Sequence, residues 1–168
     1  MDRTYERRFV LNTAPILHIE DSQDDQFFLK RAFAEVGIEN KIQFVDDGQK
    51  AINYLSSQPP YSDRLEYPTP CLVILDLKLP KVHGLDVLKW IRTQSELQAL
   101  IVVILSSSPL RNDVDTAYKT GVNSFLVKPL SADELTHFAH LIKEYWLETN
   151  QFPSLCEVKN RLNKDRPE

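Results

Sequence analysis

Five polar residues stand at the ends of short apolar runs. Glu20 and Asp21 follow Ile16-Leu17-His18-Ile19, and Asp76 follows Cys71 to Leu75. Ser106 follows Leu100 to Leu105, and Lys128 follows Ser124-Phe125-Leu126-Val127. Burying a strand gives no packing reason for Asp76 at its carboxyl end, but that edge of an open parallel α/β sheet is where ligands bind. Alone, Asp76 reads equally well as a strand terminus or turn cap; the other strand ends weigh against that. Three carboxylates with one lysine are an unbalanced set, because like charges a few ångströms apart raise one another's pKa or require a cation. Hard oxygen ligands suit Mg²⁺ (or Mn²⁺), which takes one or two carboxylates and then phosphate oxygens. Lys128, a compact point charge, can pair with Asp76 and later with a phosphoryl oxygen, while Ser106 offers a hydroxyl. Together these groups would neutralise charge around a phosphoryl group passing to Asp76, and carboxylates do act as nucleophiles that form acyl phosphates.

Five strands must hold those residues. The run Cys71 to Leu75, β-branched at Val73 and Ile74 and closed by Pro80, reads as a strand buried on both faces. Ile42 to Val45 is a shorter strand. Helical periodicity follows each strand: Leu29, Ala32, Phe33 and Val36 after a Ser22 cap, then Gln49 to about Ser57, Gly84 to about Thr93, and Arg111 to Thr120. Ser131-Ala132-Asp133-Glu134 fits a capping box, opening a last helix whose apolar stripe is Leu135, Phe138, Ala139, Ile142, Tyr145 and Trp146, with Leu141 and Leu147 off it. Four prolines make 58–70 a loop. Five strand-helix alternations predict an α/β fold: a doubly wound, all-parallel five-stranded sheet, flavodoxin-like in order 2-1-3-4-5, with helices on both faces. The divisions are an arm at 1–14, with Phe9-Val10-Leu11 docking on the body, a domain at 15–149 and a tail at 150–168.

Composition narrows the classes. At 168 residues and 42% hydrophobic content the chain can bury one good core, and a net charge of −4 argues against general nucleic-acid binding. No apolar run approaches the ~20 residues of a membrane span. No signal-like hydrophobic region follows Arg7-Arg8, and the two cysteines, Cys71 and Cys156, suit reduced thiols in a cytoplasmic protein.

From Ile16 to about Trp146 the chain resembles the receiver domain of two-component response regulators. The resemblance rests on Ile19-Glu20-Asp21, on Leu75-Asp76-Leu77 with Pro80 and Gly84, on Leu105-Ser106-Ser107, and on Val127-Lys128-Pro129, in that order. It implies that Asp76 is the phosphoacceptor, that Asp21 ligates Mg²⁺ directly and Glu20 through water, and that the Lys78 carbonyl is a further ligand. Ser106 would be the hydroxyl that moves toward the phosphoryl group, Phe125 the aromatic switch, and Lys128–Pro129 a cis peptide. The Pro/Tyr-rich stretch before the central strand, with Glu144-Tyr145-Trp146-Leu147 and Phe152-Pro153, narrows the resemblance to cyanobacterial phytochrome response regulators. Those take phosphate from a phytochrome-type sensor histidine kinase. Two positions depart from the common pattern: Lys78, two residues after Asp76, and His83, before Gly84.

The 40 residues after Lys128 are few for an output domain, so the expectation is signalling by protein contact. A homodimer through the fourth helix, fifth strand and last helix is the expected form, with the tail around Phe152 extending it. Other readings stay open. An aspartyl-nucleophile phosphatase would want Asp-x-Asp, but Lys78 occupies the second position. A flavodoxin-like cofactor binder would want a phosphate-cradling first loop, whereas Glu20-Asp21-Ser22-Gln23-Asp24-Asp25 would repel phosphate. A degenerate receiver used only for interaction would not need all five rim groups.

Overall fold

The structure, a computed structural model, describes residues 14–108 and 110–153. Phe9-Val10-Leu11, Cys156 and most of the tail lie outside them. Five strands, β1 (Ile16–Ile19), β2 (Ile42–Val45), β3 (Leu72–Leu75), β4 (Ile101–Ser106) and β5 (Ser124–Val127), form one parallel sheet in the order β2-β1-β3-β4-β5. Between and after them run α1 (Gln23–Glu35), α2 (Gly48–Leu55), α3 (Gly84–Thr93), α4 (Arg111–Thr120) and α5 (Ala132–Leu141). This is the doubly wound topology that the alternating pattern predicts.

Strand alternation divides the core into two layers. Leu17, Ile19, Val73, Leu75, Val102 and Ile104 meet α2, α3 and α4 on one face. Ile16, Leu72, Ile74, Val103 and Leu105 meet α1 and α5 on the other. Every residue of Cys71–Leu75 is fully buried, so β3 reads as a continuous apolar run rather than an alternating one. Each large side chain there contributes about 1.5–3 kcal/mol of burial.

Local signals place the helices. The Ser22 hydroxyl accepts the Asp25 N–H at 3.3 Å and starts α1, and Gly37 ends it at φ +74°. The loop at 58–70 is packed: Tyr54, Tyr61 and Tyr67 meet edge to face or tilted with ring centroids 5.1–6.0 Å apart, and the Tyr54 hydroxyl donates to the Pro68 carbonyl at 2.9 Å.

The last helix departs from its predicted stripe. From Ile142 to Thr149 it continues as a π-helix, and the Asn150 N–H donates to the Tyr145 carbonyl five residues back. Wider turns rotate later side chains off a 3.6-residue register. Tyr145 therefore faces solvent at 56% exposure, while Trp146 and Leu147 pack against the core. Phe152, expected to extend an intermolecular surface, is instead 3% exposed within the α1/α5-side core. An apolar ring in that cluster is removed from water by the chain itself.

Candidate functional site

Register brings the rim together. Ile19 pairs with both Val45 and Leu75, so the next residues, Glu20 and Asp76, leave the sheet side by side. The Asp76 N–H donates to the Ile19 carbonyl at 3.0 Å and the Glu20 N–H to the Val45 carbonyl at 2.9 Å. Both carboxylates are buried, at 1% and 4% exposure, whereas Asp21 is exposed. One Asp76 oxygen, Oδ1, accepts the Leu77 N–H at 2.6 Å and the Lys78 N–H at 3.4 Å. The loop then doubles back, and the Gly84 N–H donates to the Leu77 carbonyl at 2.9 Å. Glycine is required at that return, because a Cβ on residue 84 would stand 2.2 Å from the Asp76 carbonyl oxygen.

Lys128 enters from the end of β5, its N–H donating to the Ser106 carbonyl at 2.9 Å. Its ammonium reaches Glu20 Oε2 at 2.6 Å, Asp25 Oδ2 at 2.7 Å and Asp76 Oδ2 at 3.0 Å. Burial works against its charge, but bonds to Asp25, Glu20 and Asp76 outweigh that and hold its pKa well above the ordinary lysine range. Burial pushes the Glu20 carboxyl up, against the lowering pull of Lys128 and of the Ser22 N–H at 3.1 Å. Behind them His18 is fully buried, with Nε2 4.0 Å from Glu20 Oε2 and Nδ1 without a hydrogen-bond partner. Burial first, then the Lys128 charge, pushes its pKa down to about 3, so it is a neutral imidazole.

Glu20, Asp21 and Asp76 each offer a carboxylate oxygen, and these lie within 4.8 Å of one another. Such an all-oxygen set fits a hard divalent cation of the Mg²⁺ or Mn²⁺ kind. With that geometry in view, the response regulator receiver domain family matches residues 16–140. The chain belongs to this family.

Its relatives extend the likeness. This receiver is 39% identical over 138 residues to FilR2, a probable methanogenesis regulatory protein of Methanothrix harundinacea, covering 82% of this chain and 86% of that one. It is 32% identical to the response regulator Rcp1 of Synechocystis, over 83% of this chain and 92% of that one; the Mn²⁺-bound crystal structure of Rcp1 matches with a TM-score of 0.76. The phosphorylated cyanobacterial phytochrome response regulator RcpA matches with a TM-score of 0.78 at 31% identity, over 84% of this chain and 99% of that one. The flavodoxin-like receiver fold is shared with these structures.

The other predicted residues of the receiver site lie as follows. Ser106 ends β4 fully buried, and its hydroxyl accepts the Ser108 N–H at 3.3 Å. Phe125, half-buried on β5, packs against the α2/α3/α4-side core. The Lys78 side chain is exposed beside the Asp76 loop. His83 caps α3, its Nδ1 accepting the Leu85 N–H at 3.3 Å. The expected cis bond at Lys128–Pro129 is not found: among the described residues the cis peptide is Pro59–Pro60. Trans is the ground state even for X-Pro, by about 0.5–1 kcal/mol, and Lys128 reaches its three carboxylates without the isomer.

Asp25 and His18 were not legible as site residues. Asp25 carries the signal of any acid in a helix first turn, and only the position of Lys128 shows that it faces the rim. His18 sits at a strand position that reads as core.

Proposed function

We propose that this receiver takes one phosphoryl group onto Asp76 from a sensor histidine kinase and signals by contacts that depend on that phosphate. The observation that carries the reading is the buried Asp76 carboxylate, one oxygen on backbone N–H groups and the other 3.0 Å from Lys128 Nζ, inside the three-carboxylate cluster. In the transfer an Asp76 oxygen attacks phosphorus, the phosphorus–nitrogen bond of phosphohistidine breaks, and the imidazole leaves with the electron pair. Lys128 balances charge on the phosphoryl oxygens. Ser106 is the hydroxyl that turns toward them, and Phe125 is the ring that fills the space it leaves. Glu20, Asp21, Asp76 and the Lys78 carbonyl would hold Mg²⁺ or Mn²⁺, which supplies positive charge for the phosphoryl group. Turnover of an external substrate is not part of this reading, since Lys78 stands where a phosphatase has its acid/base.

The decisive test is intact-mass measurement after incubation with acetyl phosphate and Mg²⁺. Wild type gains one phosphoryl unit only when the metal is present, and Asp76→Asn gains none; equal labelling of the variant refutes the assignment.

For the donor, exposed Phe28 (50%) and Leu130 (96%) flank a cavity of about 490 Å³ between α1 and α5 that reaches Lys128 and Asp25. A helical kinase element fits that apolar border, and the likeness to RcpA and Rcp1 favours a phytochrome-type kinase acting in the cytoplasm. Phosphotransfer from such a kinase should outpace transfer from a non-phytochrome kinase; the reverse order overturns this choice. For output, Tyr118, Val127, Leu141 and Tyr145 are 43–56% exposed across α4, β5 and the last helix. This apolar face suits a homodimer, with a coupling to phosphate of about 1–3 kcal/mol. Sedimentation should show Leu141→Asp with Tyr145→Asp dissociating the dimer while Asp76 still labels. A wild type that is monomeric with and without phosphate rules the dimer out.

A further inference from the structure

Lys128 is held by one carboxylate more than the divalent-cation cluster accounts for. An ammonium has three N–H donors, and three carboxylate oxygens stand within 3.0 Å of this one: Glu20 Oε2, Asp25 Oδ2 and Asp76 Oδ2. Two of these partners, Glu20 and Asp76, belong to the cluster that fits the cation. A metal ion there draws on the same two carboxylates, and a phosphoryl group on Asp76 removes an anionic oxygen from Lys128. Asp25 is the partner that neither event consumes. It stands outside the sheet, in the first turn of α1, and approaches from the cavity side at 44% side-chain exposure.

From this geometry we propose that Asp25 is a positioning residue: it anchors the Lys128 ammonium while the metal and the phosphoryl group take over its other two partners. The inference rests on the reading of Asp76 as acceptor. Without Asp25, two of the ammonium's three donors would have only contested acceptors, and its long side chain would be free to swing off the phosphoryl oxygens. The backbone that carries the anchor is held by a helix cap. The Asp25 N–H donates to the Ser22 hydroxyl at 3.3 Å. That capping bond uses the backbone of residue 25, so a change of its side chain leaves the start of α1 intact.

A purely electrostatic role predicts the opposite sign. Asp25 adds a negative charge to a rim that must receive an anionic phosphodonor, so removing that charge alone would speed phosphorylation at saturating metal. Anchoring of Lys128 predicts slowing, by about 10-fold if Asp25 acts as outer-shell partners commonly do.

The test is the rate of phosphorylation of the full chain by acetyl phosphate, with Mg²⁺ raised to saturation separately for each variant. Asp25→Asn should lower the limiting rate about 10-fold with little change in the acetyl phosphate concentration at half-maximal rate. Asp25→Glu, which restores charge and reach, should recover most of the loss. Thermal unfolding of each variant checks that the fold persists. A limiting rate for Asp25→Asn equal to or above wild type overturns the inference, as does a loss that Asp25→Glu fails to recover in a folded protein. A wild type that takes no phosphate on Asp76 would instead overturn the underlying reading, so the two failures are distinguishable.

Discussion

Substituting Gly84→Ala tests whether the acceptor loop is shaped by close backbone approach. The added Cβ would meet the Asp76 carbonyl oxygen at 2.2 Å and the Leu77 Cα at 2.7 Å. Ordinary contact starts at 3.4 Å, and both neighbours are main-chain atoms of the acceptor loop, so that loop must move by about 1 Å. Overpacking of this kind costs about 1–3 kcal/mol, and the Gly84 N–H bond to the Leu77 carbonyl, worth about 1 kcal/mol, is put at risk. Alanine returns about 0.4–1 kcal/mol through a less disordered unfolded chain. The net is about 1–3.5 kcal/mol of destabilisation, or a Tm lower by about 2–14 °C for a chain of this size. Thermal unfolding followed by circular dichroism measures it, with phosphorylation by acetyl phosphate as the second readout, since the displaced carbonyl belongs to Asp76. Gly37→Ala is the comparison: its Cβ would meet only the end of the Lys143 side chain, at 3.4 Å, so its cost is the left-handed backbone alone, about 1–2 kcal/mol. A Gly84→Ala protein within about 2 °C of wild type that labels at the wild-type rate would refute the argument.

Three further outcomes follow from other contacts. Lys128→Met strips the cation from the buried Glu20 and Asp76 carboxylates. Metal-free stability should fall by about 3 kcal/mol, at the low end for a broken buried pair because the rim opens to water, and Mg²⁺ should restore part of it; unchanged unfolding would contradict this. Arg92 donates to the carbonyls of Gly121 (2.8 Å), Leu100 (2.9 Å) and Gln98 (3.2 Å) and to Asn123 Oδ1 (2.9 Å). Arg92→Ala should cost about 2–3 kcal/mol in urea unfolding, and Arg92→Lys should recover less than half, because one ammonium cannot span that fork. His18 is neutral when folded, with its pKa pushed down to about 3 from 6.5, so the unfolded chain binds the extra proton between those values. Its contribution is intact above pH 6.5 and is lost as pH falls, by about 2 kcal/mol at pH 5. His18→Gln should flatten the stability profile over that window relative to wild type; parallel profiles would exclude His18 as the cause.

The fold and the rim were legible for one physical reason. Strands buried on both faces must be continuously apolar, so Glu20 and Asp76 stand out as abrupt polar ends, Lys128 follows the half-buried edge strand β5, and parallel register then brings all three to one edge. What escaped depended on approach rather than pattern. Asp25 has the sequence signature of a helix-terminus acid, and its bond to Lys128 joins residues 103 positions apart. The stripe on the last helix assumed 3.6 residues per turn, which fails where the π-helix begins at Ile142. The capping box was half right: Ser131 Oγ accepts the Glu134 N–H at 3.2 Å, but the Glu134 carboxylate turns to the Leu130 N–H at 2.8 Å. The trans Lys128–Pro129 bond corrects an expectation drawn from resemblance, not from the residues themselves.

The return loop after Asp76 is braced unevenly. Lys81, at φ +65°, reaches across to Asp47 Oδ2 at 2.6 Å, and Gly48 lies so close to the Val82 carbonyl that no Cβ would fit. Helix α3 adds four buried residues, Gly84, Val87, Leu88 and Ile91, on the same flank. Across the rim, α4 buries only Ala117, has no side-chain cap bond at its start, and is tied to the β4 end by the bond from Ser108 Oγ to Asp113 Oδ2 at 2.7 Å. Compliance is therefore directional. Local opening should cost least at α4, beside exposed Tyr118 and Val127, and amide exchange in α4 should be faster than in α3.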